Sequence, residues 1–291
     1  MCIRDRVGHF ERSLRQFEAA VERVDADPSL LEGADAHARL LVDLADAYRR
    51  NNKFSLARAT AERAANLAGI SEDARLAALT IQIGIAYMSG NRAAADAFSE
   101  YVAKRLGEAS PGIKAYGLGM IGSNAYKQDD WQNAIEPLEG ACRIYKNQQM
   151  TSQWAKCTAV LGLCFERTGD RERGRNLLDR SFDAALSNEF IDDAIFILVN
   201  LGRLEALAGM HDAARADFEA SAALARKYGQ SRNLFESWFE CFKLARALGD
   251  RAEVDRLSIV LTRLSRKLTD VVPAVAEFVA IRRELNGERC A

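Results

Sequence analysis

Apolar positions in this chain recur with the 3.6-residue period of an amphipathic helix, in runs of about seventeen residues broken by short polar turns. The runs come in pairs, and the pairs return about every forty residues. The pattern predicts paired helices at 38–51 and 54–68, 73–89 and 92–106, 112–128 and 131–147. It continues at 152–168 and 171–188, 192–208 and 211–228, 232–248 and 251–268, with a last helix at 271–286. Two ladders of mostly small residues run through these pairs. One is Ala45, Gly84, Gly122, Gly162, Gly202 and Phe242; the other is Ala64, Ala103, Ala141, Ser181, Ser221 and Leu261. Both advance by 39, 38, 40, 40 and 40, and each rung of the second follows its partner by 19. Helices pack about 8–10 Å apart, so the closest crossings favour Gly, Ala or Ser. A helical unit of this length, repeated six times, predicts an all-α solenoid in which each unit buries its apolar face against its neighbours.

The ends depart from the repeat. Met1–Arg6 (MCIRDR) looks like the translation of a sequencing-library transposon end, so residues 1–6 are set aside as an adapter scar. The stretch from His9 to Val24 reads as the second helix of a repeat whose first helix is missing. The expected organisation is therefore a partial first repeat at 7–24, six repeats through 270, and a capping helix and tail at 271–291. A chain opening in mid-repeat should expose Phe10, Leu14, Phe17 and Val21, and the native protein should extend upstream.

Turn chemistry supports the helix breaks. Gly169, Gly209 and Gly249 are forty apart, each just past a helix where a left-handed residue is wanted. Asp130, Asp170, Asp212 and Asp250 stand where they can cap the next helix, and Asp250-Arg-Ala-Glu253 has the layout of a capping box. Pro137 falls inside a helix and should kink it.

Lysine and arginine number 40 against 41 acidic residues, for a net charge of −1. That balance argues against a nucleic-acid binder, which would carry a basic excess. No stretch approaches eighteen consecutive apolar residues, so no transmembrane helix is expected. Apart from Cys2, the cysteines are Cys142, Cys157, Cys164, Cys241 and Cys290, with no Cys-x-x-Cys pair. Cys157 and Cys164 share a helix face, where core packing is the better reading than a metal or redox pair. This usage predicts a reducing compartment, the cytoplasm.

Candidate chemistry is sparse. Gly117-Leu-Gly119-Met-Ile-Gly122 matches G-x-G-x-x-G, but no strand precedes it, and Gly122 is already a ladder rung. His9, His37 and His211 have no partner at ligand spacing. Asp25-Ala-Asp27-Pro-Ser29 lacks the glycine and terminal glutamate of a calcium loop. Glu205 sits where Tyr48, Tyr87 and Phe165 pack in other repeats, so it should be buried beside an arginine or turned to solvent. No nucleophile has a base partner. No catalytic, metal or cofactor site is expected, and the chain reads as a non-enzyme.

Leu161-Gly162, Phe165, Gly174, Leu178 and Ser181, then Leu201-Gly202, Ala214, Phe218 and Ser221, resemble the tetratricopeptide repeat family, as do Leu44-Ala45, Tyr48, Ala57, Ala61 and Ala64. The closing proline is absent throughout, and the forty-residue step resembles the family's longer-helix variety. The resemblance implies a right-handed superhelical α-solenoid of stacked helix-turn-helix repeats whose first helices line a concave groove. By that resemblance the groove residues are Gln82, Ser123, Lys127, Arg167, Asn200, Arg203, Glu240 and Lys243. Asn200 resembles the asparagine with which longer-helix members hold a peptide backbone. The implied function is a scaffold binding a protein or peptide segment, with acidic residues or a free C-terminus toward the later repeats. The alternative is the sensor region of a larger transcription regulator or signalling ATPase truncated at its N-terminus.

Overall fold

The computed structural model describes residues 4–51, 53–268 and 273–288, with side chains at 14–51, 53–268 and 274–285. Among them are a short 3-10 turn (Pro28–Leu30) and fourteen α-helices, without a strand. The first seven are α1 (Arg4–Ala26), α2 (Ala34–Arg50), α3 (Phe54–Ala65), α4 (Glu72–Met88), α5 (Arg92–Ala103), α6 (Pro111–Lys127) and α7 (Trp131–Asn147). The others are α8 (Thr151–Thr168), α9 (Arg171–Ser187), α10 (Ile191–Leu207), α11 (His211–Lys227), α12 (Ser231–Ala247), α13 (Arg251–Ser265) and α14 (Pro273–Glu288). From α2 to α8, and again from α10 to α13, each helix packs on the next, and the first helices α2, α4, α6 and α8, like α10, α12 and α14, also pack on the one two places along. The chain divides into two compact units, Gly8–Ser181 and one built from Phe182–Ala291. Of the six residues set aside in the sequence, Met1–Ile3 lie outside the described part, and Arg4–Arg6 open α1.

In the Gly8–Ser181 unit, Leu14 and Val21 are buried with Leu41, Ala45, Ala57 and Ala61, so the expected exposed patch is not formed at those two positions. Phe17 is partly buried, and the side chain of Phe10 lies outside the described residues. A β-carbon on Gly122 would sit 2.6 Å from Leu138 Cγ, and one on Gly162 would sit 2.9 Å from the carbonyl of Gly174. Those rungs admit no side chain, as the ladder predicted. The second repeat departs from it. Ala103 is exposed, whereas Ile83 and Val102, also nineteen apart, are fully buried together. The contact there runs one residue earlier and is made by larger side chains. Gly84 instead faces Arg49 of α2 and Met120 of α6.

The Phe182–Ala291 unit repeats the hairpin packing. Gly202 fits against Phe218 and the carbonyl of Ala214. Phe235, Phe239, Phe242 and Phe278 of α14 form an aromatic core with ring centroids 5.5–6.2 Å apart.

The turns carry their own period. Gly90, Gly169, Gly209, Gly229 and Gly249 all have φ between +69° and +98°. Asp129, Gln149 and Glu189 adopt the same left-handed conformation without being glycine. Asp170 and Asp250 cap α9 and α13 through the backbone N–H groups of Arg173 and Glu253. Asp130 instead accepts from the side chain of Asn133, and Asp212 lies inside α11, so these two do not cap as expected. Glu253 pairs with Arg256, which leaves the capping box half made. α7 continues through Pro137 as one helix.

Candidate binding groove on the first helices

Registered on the buried contacts, the first helices place their functional side chains differently in each unit. In Gly8–Ser181 the shift in α4 changes one assignment. Gln82 is buried, at the position that Leu44 and Leu161 occupy in their helices, so it does not line the groove. Gly84 takes the place that Ser123 and Leu163 hold elsewhere. Arg49 crosses over it, and its Nε and Nη2 donate to Asp46 Oδ1 at 2.9 and 2.6 Å. Arg50 donates to Asp46 Oδ2 at 2.6 Å. Burial raises the Asp46 pKa, but the two guanidinium groups outweigh it and the net shift is downward. Asp43 shifts upward, through burial first and the Asp46 charge second.

Lys127 is exposed, with its ammonium 5.1 Å from the ring centre of Tyr87, whose hydroxyl donates to the Lys127 carbonyl. Arg167 is also exposed and lies over the Trp131 ring at 5.5 Å. Ser123 is half-buried beside Asn124, whose amide donates to Asp96. Gly117, Gly119 and Gly122 all lie within α6, and Gly117 is filled by Leu106, so the glycines serve helix packing. His37 Nε2 lies 3.4 Å from Asp25, a carboxylate that also pairs with Arg63. Sequence spacing had given His37 no partner.

The Phe182–Ala291 unit holds a more defined site. α10 and α12 lie side by side and enclose a cleft of about 160 Å³, lined by Asp192, Ile195, Phe196, Val199, Asn200, Arg203, Asn233 and Glu236. Asn200 is only 8% exposed, and its amide nitrogen donates to the Phe196 carbonyl at 2.7 Å. That bond leaves Oδ1 as the group it can offer to a ligand N–H. Phe196 is 41% exposed, unusual for a phenylalanine flanked by two buried neighbours on its own helix. Asn233 donates to Asp192 at 3.0 Å and fixes that corner.

Arg203 and Lys243 both donate to Glu240 Oε1, at 2.5 and 2.8 Å. Glu240 is buried, which raises its pKa; the bonds and charges of Arg203 and Lys243 more than reverse this, and the net shift is downward. The three groups form a cluster with one net positive charge. Toward the helix starts Glu236 pairs with Arg232 at 2.9 Å and Asp192 leaves one net negative charge, opposite the net positive Arg203 cluster toward the ends. Phe196 and Glu236 escaped the sequence reading. Each lies four residues before a groove residue, Asn200 and Glu240, so extending the inward stripe by one turn finds them. Glu205 is buried rather than turned to solvent.

Among the described residues, no group of three His, Cys, Asp or Glu side chains could hold a metal ion, and no helix is long and apolar enough to cross a membrane. No protein-family model matches the chain, and no curated protein matches it. Solved structures do. The chain is similar to a Rap protein complexed with Competence and Sporulation Factor, at 12% identity and a TM-score of 0.69, covering 97% of this chain and 86% of that one. It is similar to aspartyl phosphate phosphatase F from Bacillus subtilis at 10% identity and 0.62, covering 89% and 69%. It is also similar to the apo form of RapI at 12% and 0.57, covering 86% and 99%. At these identities the likeness shows the fold, the stacked helix hairpins of a tetratricopeptide-like repeat protein.

Proposed function

We propose that this chain is a helical-repeat scaffold that captures an extended protein or peptide segment across its first helices, with the α10–α12 cleft as the specificity site. The observation that supports this reading is the cleft itself: an apolar floor, an exposed aromatic ring, an amide with a free acceptor and opposite charges at its two ends. Such a surface suits a chain segment, which brings backbone N–H groups, side chains and a direction. The segment's N–H meets Asn200 Oδ1, and an apolar side chain packs on Phe196, Ile195 and Val199. An acidic residue or C-terminal carboxylate faces Arg203 and Lys243. Among neighbours of this fold, a Rap protein was solved as a complex with a factor, and another is named a phosphatase, so the choice of binding over catalysis rests on the cleft. The rival reading, a sensor region within a larger regulator, uses the same cleft.

Peptide display against the full chain tests it. Selected segments should lose at least about tenfold in affinity on combining Asn200→Ala with Arg203→Ala, the range of charge-assisted bonds worth about 1.5–3 kcal/mol. Helicity should not change, and added salt should weaken binding further. Segments indifferent to these changes but lost on altering Arg226 or Ile259, which lie on second helices, would place the site elsewhere.

A further inference from the structure

The positive end of the α10–α12 cleft is built around a buried acid. Glu240 stands in α12 where Asn200 stands in α10, forty residues earlier, and both are buried, at 6% and 8% exposed. One carboxylate oxygen of Glu240 accepts from Arg203 of α10 at 2.5 Å and from Lys243, one turn on in α12, at 2.8 Å. The two basic side chains are 47% and 35% exposed, against 8% for that of Glu240. A ligand therefore meets the cations first and the carboxylate beneath them. The Lys243 ammonium also lies 4.9 Å from the Phe239 ring centre, which limits where it can go. Burial raises the Glu240 pKa, but the bond and charge of Arg203, with those of Lys243, turn the net shift downward. Glu240 is thus ionised at neutral pH.

We propose that Glu240 is a specificity-determining residue: by cancelling one of two positive charges, it makes this end of the cleft select a monoanionic carboxylate over a dianionic phosphate. The inference rests on the reading of the cleft as a site for a chain segment, and it names the charge class of the group held there. Two cations side by side with no third charge would suit a phosphorylated side chain, which carries about −1.5 to −2 at pH 7. With Glu240 beneath them the cluster keeps one net positive charge, and a single carboxylate neutralises it. A phosphate would bring excess negative charge against a buried carboxylate, where the low local dielectric makes repulsion strong. Glu240 also positions the pair, because one acceptor shared by both donors draws the guanidinium and the ammonium together. Asn200 occupies the same place one first helix earlier and has no charge with which to do either.

The test uses the full chain and one display-selected segment whose binding is weakened by Arg203→Ala. That segment is synthesised with aspartate, asparagine or phosphoserine at the position facing Arg203, and fluorescence anisotropy gives the three affinities. The unsubstituted chain should bind the aspartate form most tightly. Glu240→Gln keeps the side-chain shape and an acceptor oxygen while removing the charge. It should raise the phosphoserine-to-aspartate affinity ratio at least about tenfold. Lys243→Met brings the cluster to zero charge, and it should abolish the preference for aspartate over asparagine. Each ratio is taken within one variant, so a general loss of stability cancels. An unchanged ratio in Glu240→Gln, a phosphoserine preference in the unsubstituted chain, or an aspartate preference retained in Lys243→Met overturns the inference and leaves the cleft standing as a binding site. If no selected segment depends on Asn200 or Arg203, the reading of the cleft fails, and the role of Glu240 fails with it.

Discussion

Single residues in this fold are constrained mainly by how near a neighbour's backbone comes. Gly162 and Gly174 face each other, and a β-carbon on either would meet the other's carbonyl at 2.8–2.9 Å. Gly162→Ala should therefore cost about 1–3 kcal/mol, measured by denaturant unfolding. Where backbone strain rather than space decides, the sign reverses. Gln149 and Glu189 hold φ of +58°, where a side chain costs about 1–2 kcal/mol, and Gly229 fills the same turn one repeat on. Replacing either by glycine should stabilise the chain by roughly 0.5–1 kcal/mol, net of the extra freedom glycine gives the unfolded state. The charged cluster adds a pH dependence. The Glu240 pKa is depressed below its ordinary 4.5 in the folded chain, so its contribution is complete above that value and is lost as pH falls through the folded pKa. Glu240→Gln should flatten the acid side of a Tm-against-pH curve below about pH 4.5, and an unchanged acid limb would remove Glu240 from the account.

Helices and turns were legible in the sequence because their signals are local. The predicted pairs and the glycines at 169, 209 and 249 recur within a few residues of the observed ends. The register of α4 and α5 was not legible. The true contact uses Ile83 and Val102, while the nearby Gly84 and Ala103 are small for other reasons, one to let Arg49 and Met120 cross and one because it is exposed. A small residue marks a close approach without saying by what. The α10–α12 cleft was half legible: the sequence named Asn200 and Arg203, which line it, but the bond of Arg203 to Glu240 joins side chains 37 positions apart on two helices, whereas the Glu240–Lys243 pair is local to α12. Contacts between successive first helices recur at the helix starts. Asp35 accepts from the Ser71 N–H at 2.7 Å, and Asp73 from the Ser110 N–H at 3.1 Å. Each carboxylate caps the first helix of the next repeat, a use the sequence reading did not anticipate. Asp73→Ala should lower Tm by about 2–4 °C without changing helical content at room temperature.

At the scale of the whole molecule, the contacts within each unit run between helices adjacent in order or one place removed, so stability should be a sum of local terms rather than one global one. The aromatic core of the Phe182–Ala291 unit gives a sharp test. Phe239 is 1% exposed, stacks against Phe235 and Phe242 and meets the Phe278 ring edge-on. Phe239→Ala removes a ring from the centre of that group at about 3–5 kcal/mol. In a chain held by a single cooperative core, every slow-exchanging amide would lose protection together. In a stack with nearest-neighbour coupling, amides of α12, α13 and α14 lose protection first, and those of α2, α3 and α4 keep most of theirs. Hydrogen exchange followed by mass spectrometry distinguishes the two. We expect the graded pattern, and a uniform fall across α2 to α14 would show that the hairpins unfold as one body.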